Sequence, residues 1–122
     1  MPQDLQGIEF DWFAVDSNGH IALFATAGEG FVPEAVIHCY ESHSVISDSL
    51  PTPRYGTPEV WDDYADLGLF VLDWALPGGP YEMRAVPRVA PSEELKKKIL
   101  AVPELPKFNG SFINIKRVES WQ

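Results

Sequence analysis

The pair Asn18-Gly19 lies between two apolar-rich runs, Ile8 to Val15 and His20 to Thr26, and no other feature of the chain constrains its fold as strongly. Asn-Gly is the preferred pair for a two-residue type I′ turn, because both central residues need φ > 0. The spacing predicts a β-hairpin with Ala14 opposite Leu23 and Trp12 opposite Ala25. That register puts Ile8, Phe10, Trp12, Ala14, Ile21, Leu23 and Ala25 on one face, as a sheet packed on a core requires. The other face mixes Glu9, Asp11 and Thr26 with Phe13, Val15, Ala22 and Phe24, so it is expected to be partly covered.

Beyond the glycine loop at Ala27 to Gly30, Pro33 suits the first turn of a helix. At ~100° per residue, Ala35, Val36, Cys39, Tyr40, His43, Ile46 and Leu50 share one side, which predicts a single helix from Pro33 to Ser47 or Leu50. Two prolines and a glycine make 51–56 an extended loop. Thr57 is the expected N-cap of a short helix from Pro58 to Leu67 that Gly68 closes. Leu69 to Ala75 and Tyr81 to Val86 read as strands around the turn Pro77-Gly78-Gly79-Pro80, the second at an edge beside Pro87. Ser92 to Ala101 is a helix with acids at its start and lysines at its end, matching the helix dipole. Phe112 to Val118 reads as a last strand. The expected fold is one α+β domain over residues 1–122, a mainly antiparallel sheet of about five strands with three helices, in the order ββααββαβ.

Charge is unevenly spread. Residues 1 to 66 carry twelve acids against Arg54 alone, a balance of −11, and residues 67 to 122 carry six acids against eight bases, a balance of +2. Phosphate binding needs clustered positive surface, so nucleic acid is not an expected partner. The acidic half favours a cationic one. Met1 to Leu5 show no secretory leader pattern, and no run approaches the ~20 apolar residues of a membrane span. Cytoplasmic residence is the expectation.

The sharpest constellation is Glu59, Asp62, Asp63 and Asp66, whose i, i+3, i+4, i+7 spacing sets four carboxylates along one helix stripe. Like charges so spaced oppose the helix by a few tenths of a kcal/mol per pair. Either a basic partner covers the stripe, or it is a solvated face neutralised from within the fold. A straight helix aims too few oxygens at one point for calcium, and no metal or cofactor is expected. Cys39 and His43 have the spacing of a metal or thiolate–imidazole pair, but they lie amid the apolar helix side. A buried cysteine and a hydrogen-bonded core histidine are the expected roles. No P-loop, HExxH, GxSxG or dinucleotide fingerprint occurs.

The stretch from Phe10 to Pro33, with D-W-F-A-V-D-x-x-G-x-I-x-x-F followed by a glycine loop and Val32-Pro33, resembles the opening of small uncharacterised bacterial proteins, some associated with toxin–immunity loci. The resemblance implies a compact protein that blocks a toxin by binding, and it carries no catalytic residue. The preferred expectation is accordingly a non-enzymatic protein presenting acidic surface to a basic protein partner. An alternative is a ligand-binding or enzymatic domain with a pocket between the sheet and the Gly28–Gly30 loop, using His20 or Glu29. A third is a homodimer formed through exposed apolar surface.

Overall fold

The computed structural model describes residues 7–74 and 77–121. Residues Met1 to Leu5 and the expected strand end at Ala75 lie outside them. Strands β1 (Asp11–Val15) and β2 (Ile21–Ala25) are followed by helices α1 (Glu34–His38), α2 (Tyr40–Ser49) and α3 (Val60–Asp66). Strands β3 (Phe70–Asp73) and β4 (Tyr81–Ala85), helix α4 (Glu93–Leu100) and strand β5 (Arg117–Val118) complete the order. The fold is α+β, with one five-stranded sheet in the order β1-β2-β3-β4-β5. The sheet is mixed: β2 and β3 pair in parallel and the other three pairings are antiparallel. The helices between β2 and β3 carry the chain back to the end from which β2 started, so the two strands run the same way. Among the described residues no helix is long and apolar enough to cross a membrane.

The hairpin forms, but its register is one residue away from the expected one. Trp12 faces Phe24, Phe13 faces Leu23 and Ala14 faces Ala22. Asp16 is the cause. Its Oδ1 accepts from the backbone N–H groups of Asn18 at 2.8 Å and His20 at 2.9 Å. Gly19 N–H donates to Asp16 O at 3.1 Å, and only Gly19 of the loop residues has positive φ, at 85°. These are the marks of a three-residue loop, a type I turn closed by a left-handed glycine, and not of a type I′ turn.

The shift divides the hairpin between two cores. Phe13, Ile21, Leu23, Ala25 and Val71 face Ile46, Val60, Tyr64 and Ile99 from the helices. On the reverse side Trp12, Ala14, Ala22, Phe24 and Leu72 pack with Val36, Tyr81 and Phe112. There Trp12 stacks on Phe24 with centroids 4.2 Å apart and meets Trp121 edge-on at 5.3 Å. Aromatic pairs of this kind contribute ~0.5–1.5 kcal/mol beyond their burial. Both faces of the hairpin are therefore buried, the second by the C-terminal aromatic segment.

Three further expectations are corrected. The single helix over 33–50 is two, because Cys39 leaves helical geometry at φ −115° and ψ 28°. The break lets α1 send Val36 to one core while α2 sends His43 and Ile46 to the other side. Helix α3 starts at Val60 and not at Pro58, since Thr57 Oγ1 donates to Arg54 O at 2.7 Å in place of capping the helix. The last strand shrinks to Arg117–Val118, because Phe112 N–H is taken by Asp16 Oδ2 at 2.8 Å. Helix α4 lies as expected, with Ser92 Oγ accepting from Leu95 N–H at 3.1 Å. Strand β4, expected at an edge, has β5 beside it.

Strand β1 is one edge of the sheet, and it is capped. Val15 N–H donates to Pro106 O at 3.0 Å and Val15 O accepts from Phe108 N–H at 2.8 Å. Phe13 N–H donates to Nδ1 of the fully buried His43 at 3.0 Å. Covering edge donors in this way blocks strand addition by another chain.

Candidate functional site

A cleft of about 570 Å³ opens on the helix-covered side of the sheet, between α2, the loop that follows it and α3. Its size is that of ordinary ligand pockets, ~300–1,000 Å³. The floor is where β1 begins and where β2 and β3 end. Asp11 pairs with Ala25, and Ala25 pairs with Asp73, so the three form one row across the sheet. Two carboxylates thus flank an alanine. Helix α2 contributes Tyr40, Ser44, Ser47 and Asp48, and α3 contributes Val60, Trp61 and Tyr64. Glu9 and Tyr55 stand at the rim, Tyr55 with 78% of its surface exposed. Among the described residues four carboxylates line the cleft and no lysine, arginine or histidine does.

Asp11 is held from two sides. Ser47 Oγ donates to its Oδ2 at 2.9 Å, and Tyr64 Oη donates to the same oxygen at 3.4 Å. No bond among the described residues falls on Oδ1, which keeps its lone pairs for a group in the cleft. Burial raises the Asp11 carboxyl above its ordinary range; the Ser47 and Tyr64 bonds oppose this, and the charges of Asp48 and Asp73 add to it. Burial also raises Asp73, against the pull of Arg84, with Glu82 and Glu9 adding repulsion. Arg84 Nε is 3.8 Å from Asp73 Oδ2, a loose contact shared with Glu82. A cation in the cleft would relieve both carboxylates. Trp61 and Tyr64 also line the cleft, with ring centroids 6.4 Å apart.

The carboxylate stripe on α3 is divided. Asp63 turns inward and is 5% exposed. Its Oδ1 accepts from Arg54 Nε at 2.8 Å and its Oδ2 from Arg54 backbone N–H at 2.9 Å. These bonds hold the Asp63 carboxyl below its usual range against the effect of burial. Asp66 Oδ2 is 3.7 Å from Arg54 Nη2 and exposed. Glu59 and Asp62 are exposed, with Glu59 at the N-cap position just before α3. Asp63 thus pins the 51–57 loop to the helix, and the outward set is Glu59, Asp62 and Asp66.

His20 and Glu29 do not meet. His20 precedes β2, where its Nδ1 lies 3.3 Å from Asp16 Oδ2 and its ring meets Phe70 edge-on. Glu29 is exposed beyond the other end of the same strand. The glycine loop is packed down: a Cβ at Gly30 would lie 2.5 Å from Tyr81 Oη, which donates to Phe31 O at 2.7 Å. The cleft uses Thr26 and Ala27, ahead of Gly28–Gly30, and neither His20 nor Glu29 lines it. His43 is a core residue whose Nδ1 accepts a hydrogen bond, and Cys39 is half-buried at the helix break. Among the described residues no three His, Cys, Asp or Glu side chains are grouped to hold a metal ion.

The cleft carboxylates not singled out from the sequence are Asp11 and Asp73. A signal was present: each is a charged residue at the end of a strand, on the parity that buries Phe13, Leu23 and Val71. No protein-family model matches the chain, and no curated protein or solved structure matches it significantly.

Proposed function

We propose that the protein is a non-catalytic binding protein whose acidic face, centred on the cleft between α2 and α3, docks a basic protein partner. The observation that carries this reading is the cleft itself, lined by Glu9, Asp11, Asp48 and Asp73 with no basic side chain among the described residues. Helix α3 extends the same charge outward through Asp62 and Asp66. Trp61 and the exposed Tyr55 at the mouth are residue types enriched in binding hot spots. The resemblance of residues 10–33 to proteins of toxin–immunity loci makes a toxin the partner class, with inhibition by occlusion as the activity.

The test is capture of basic proteins from bacterial cells at low ionic strength, followed by work on the purified pair. Association should slow steeply with salt, since electrostatic attraction acts mainly on the encounter rate. Neutralising Asp48, Asp62 and Asp66 together should reduce the on-rate, and hydrogen-exchange protection should map to α2, α3 and the 51–57 loop. Salt-independent association, or protection confined to the C-terminal aromatic segment, would sink the proposal.

A further inference from the structure

We propose that Asn18 is a self-modification site: the backbone nitrogen of Gly19 closes on the Asn18 side-chain amide, and the lengthened product loosens the grip of the hairpin loop on the C-terminal segment. The chain holds two Asn-Gly pairs, Asn18-Gly19 and Asn109-Gly110. Glycine puts no side chain beside its own nitrogen, and the attack is intramolecular, so neither pair needs a second molecule to begin. At Asn18 the Gly19 nitrogen gives its proton to a base and bonds to Asn18 Cγ. The bond from Cγ to the side-chain nitrogen breaks, and the base returns the proton to the leaving ammonia. Water then opens the cyclic imide. Opening at Cγ gives aspartate. Opening at the Asn18 main-chain carbonyl gives isoaspartate, whose backbone runs through Cβ and Cγ and is one atom longer. Water is the only reactant consumed.

The fold separates two pairs that are identical as dipeptides. Asn18 and Gly19 are both exposed, and nothing stands within 4 Å of a Cβ built on Gly19. Among the described residues Asn18 is bonded through its backbone N–H, to Asp16 Oδ1, and not through its side chain. The Gly19 nitrogen is tied by one bond, to Asp16 O at 3.1 Å, at a loop tip, where local opening costs little. Gly110 is half-buried, and its N–H is shared between Phe108 O at 3.0 Å and Ser17 Oγ at 3.2 Å. The Phe108 ring lies 3.2 Å from its Cβ position. Asn18 therefore reacts first. The consequence follows from what the loop holds. Asp16 Oδ1 accepts from the N–H groups of Asn18 and His20, on either side of the reacting bond. Its Oδ2 accepts from Phe112 N–H at 2.8 Å, and Ser17 N–H donates to Gly110 O at 3.0 Å. An extra backbone atom between residues 18 and 19 moves the two Oδ1 donors apart and disturbs the carboxylate that clamps Phe112.

The experiment ages the whole protein at about pH 7 and about pH 9 and follows Asn18 and Asn109 by peptide mapping with mass spectrometry. Asn18 should be lost about fivefold faster or more, the factor that one further hydrogen bond contributes. Both losses should speed up steeply with pH, because the attacking nitrogen must lose its proton. In denaturing urea the two rates should converge, since only the fold distinguishes the pairs. Ser17→Ala, a change at an exposed side chain that removes one bond from the Gly110 nitrogen, should speed the loss of Asn109 and narrow the native ratio. Hydrogen exchange at Phe112 N–H should be faster in the isoaspartate product, whereas Asn18→Asp, with the same charge on a normal backbone, should stay near wild type. No loss of Asn18, faster native loss of Asn109, or a native ratio that persists in urea would overturn the site. Unchanged Phe112 exchange in the isoaspartate product, or an equal increase in Asn18→Asp, would overturn the loosening by the lengthened backbone.

Discussion

Acidification should destabilise the protein through one residue, His43. Its ring is fully buried, it stacks on Phe13, and its Nδ1 accepts the Phe13 N–H at 3.0 Å on the sheet edge. An acceptor nitrogen carries no proton, so the neutral ring holds its hydrogen on Nε2, which has no partner among the described residues. Protonation would put a second hydrogen where Phe13 donates and would leave a charge in the core. Burial accordingly lowers the His43 pKa from 6.5 to about 4. The unfolded chain then binds more protons than the native one between these values, and stability falls as pH drops from about 6.5 towards 4. The linkage integral comes to about 2 kcal/mol lost by pH 5 and about 3 kcal/mol by pH 4. In urea the latter is a midpoint shift of ~1–3 M. The carboxylates Asp16 and Asp63, whose pKa values are lowered, lose stability in the same direction at still lower pH. Asp11 and Asp73, with raised values, act the opposite way. A variant separates these from the histidine. His43→Asn places a non-titrating oxygen near the Nδ1 position, so it should be less stable than wild type at pH 7 but should lose much less between pH 7 and 4. Parallel urea midpoints for the two proteins across that range, or an NMR titration of His43 near 6.5, would refute the reasoning.

Asp63→Asn should lower the urea midpoint because it breaks the paired contact with Arg54, while Asp62→Asn should leave it unchanged or raise it slightly by relieving repulsion. At the hairpin, Gly19→Val should cost ~1–2 kcal/mol in chemical denaturation, since its φ of 85° is strained for a β-branched residue. Asn18→Ala should cost little, because Asn18 is not at positive φ; a loss as large as that of the glycine variant would restore the type I′ turn. Asp11→Asn should raise the melting temperature at pH 7, because removing a carboxylate whose pKa is raised by burial removes a destabilising charge. An unchanged or lower value would mean that the Ser47 and Tyr64 bonds outweigh burial.

The parts of the fold legible in the sequence are those decided by neighbours along the chain. Helix α4 is an example: Ser92, Glu93, Glu94 and the lysines satisfy its ends locally, and it stands where the pattern places it. The hairpin was legible as a hairpin, but its register was not. Asn-Gly argues for one turn, and Asp16 imposes another by capturing three backbone N–H groups, one of them Phe112, 96 residues away. No local rule contains that contact. The helix break at Cys39 is hidden for a similar reason: the apolar side runs unbroken through it, and only the need to serve both faces of the sheet divides it. Alternation failed as a guide to burial because both hairpin faces are buried, so Phe13, Ala22 and Phe24 belong to a core as fully as Trp12 and Leu23 do.

The candidate site was half legible. An acidic first half and a carboxylate run on α3 indicated charge but not where it concentrates. Its strongest member, Asp63, serves the fold, because a nearly buried carboxylate needs a partner and Arg54 supplies one. Asp11 and Asp73 show the reverse economy. Each sits at a strand end and has its pKa raised by burial, and the charge of Asp73 adds to the rise at Asp11. A threonine or asparagine could keep hydrogen bonds at either place without the charge. Structural need accounts for Asp63; Asp11, bonded by Ser47 and Tyr64, and Asp73, beside Arg84, have partners that leave both carboxyls raised by burial, a cost that the basic partner proposed above would offset. The division between carboxylates satisfied inside the fold and carboxylates held at its cost directs attention from the helix stripe to the floor of the cleft.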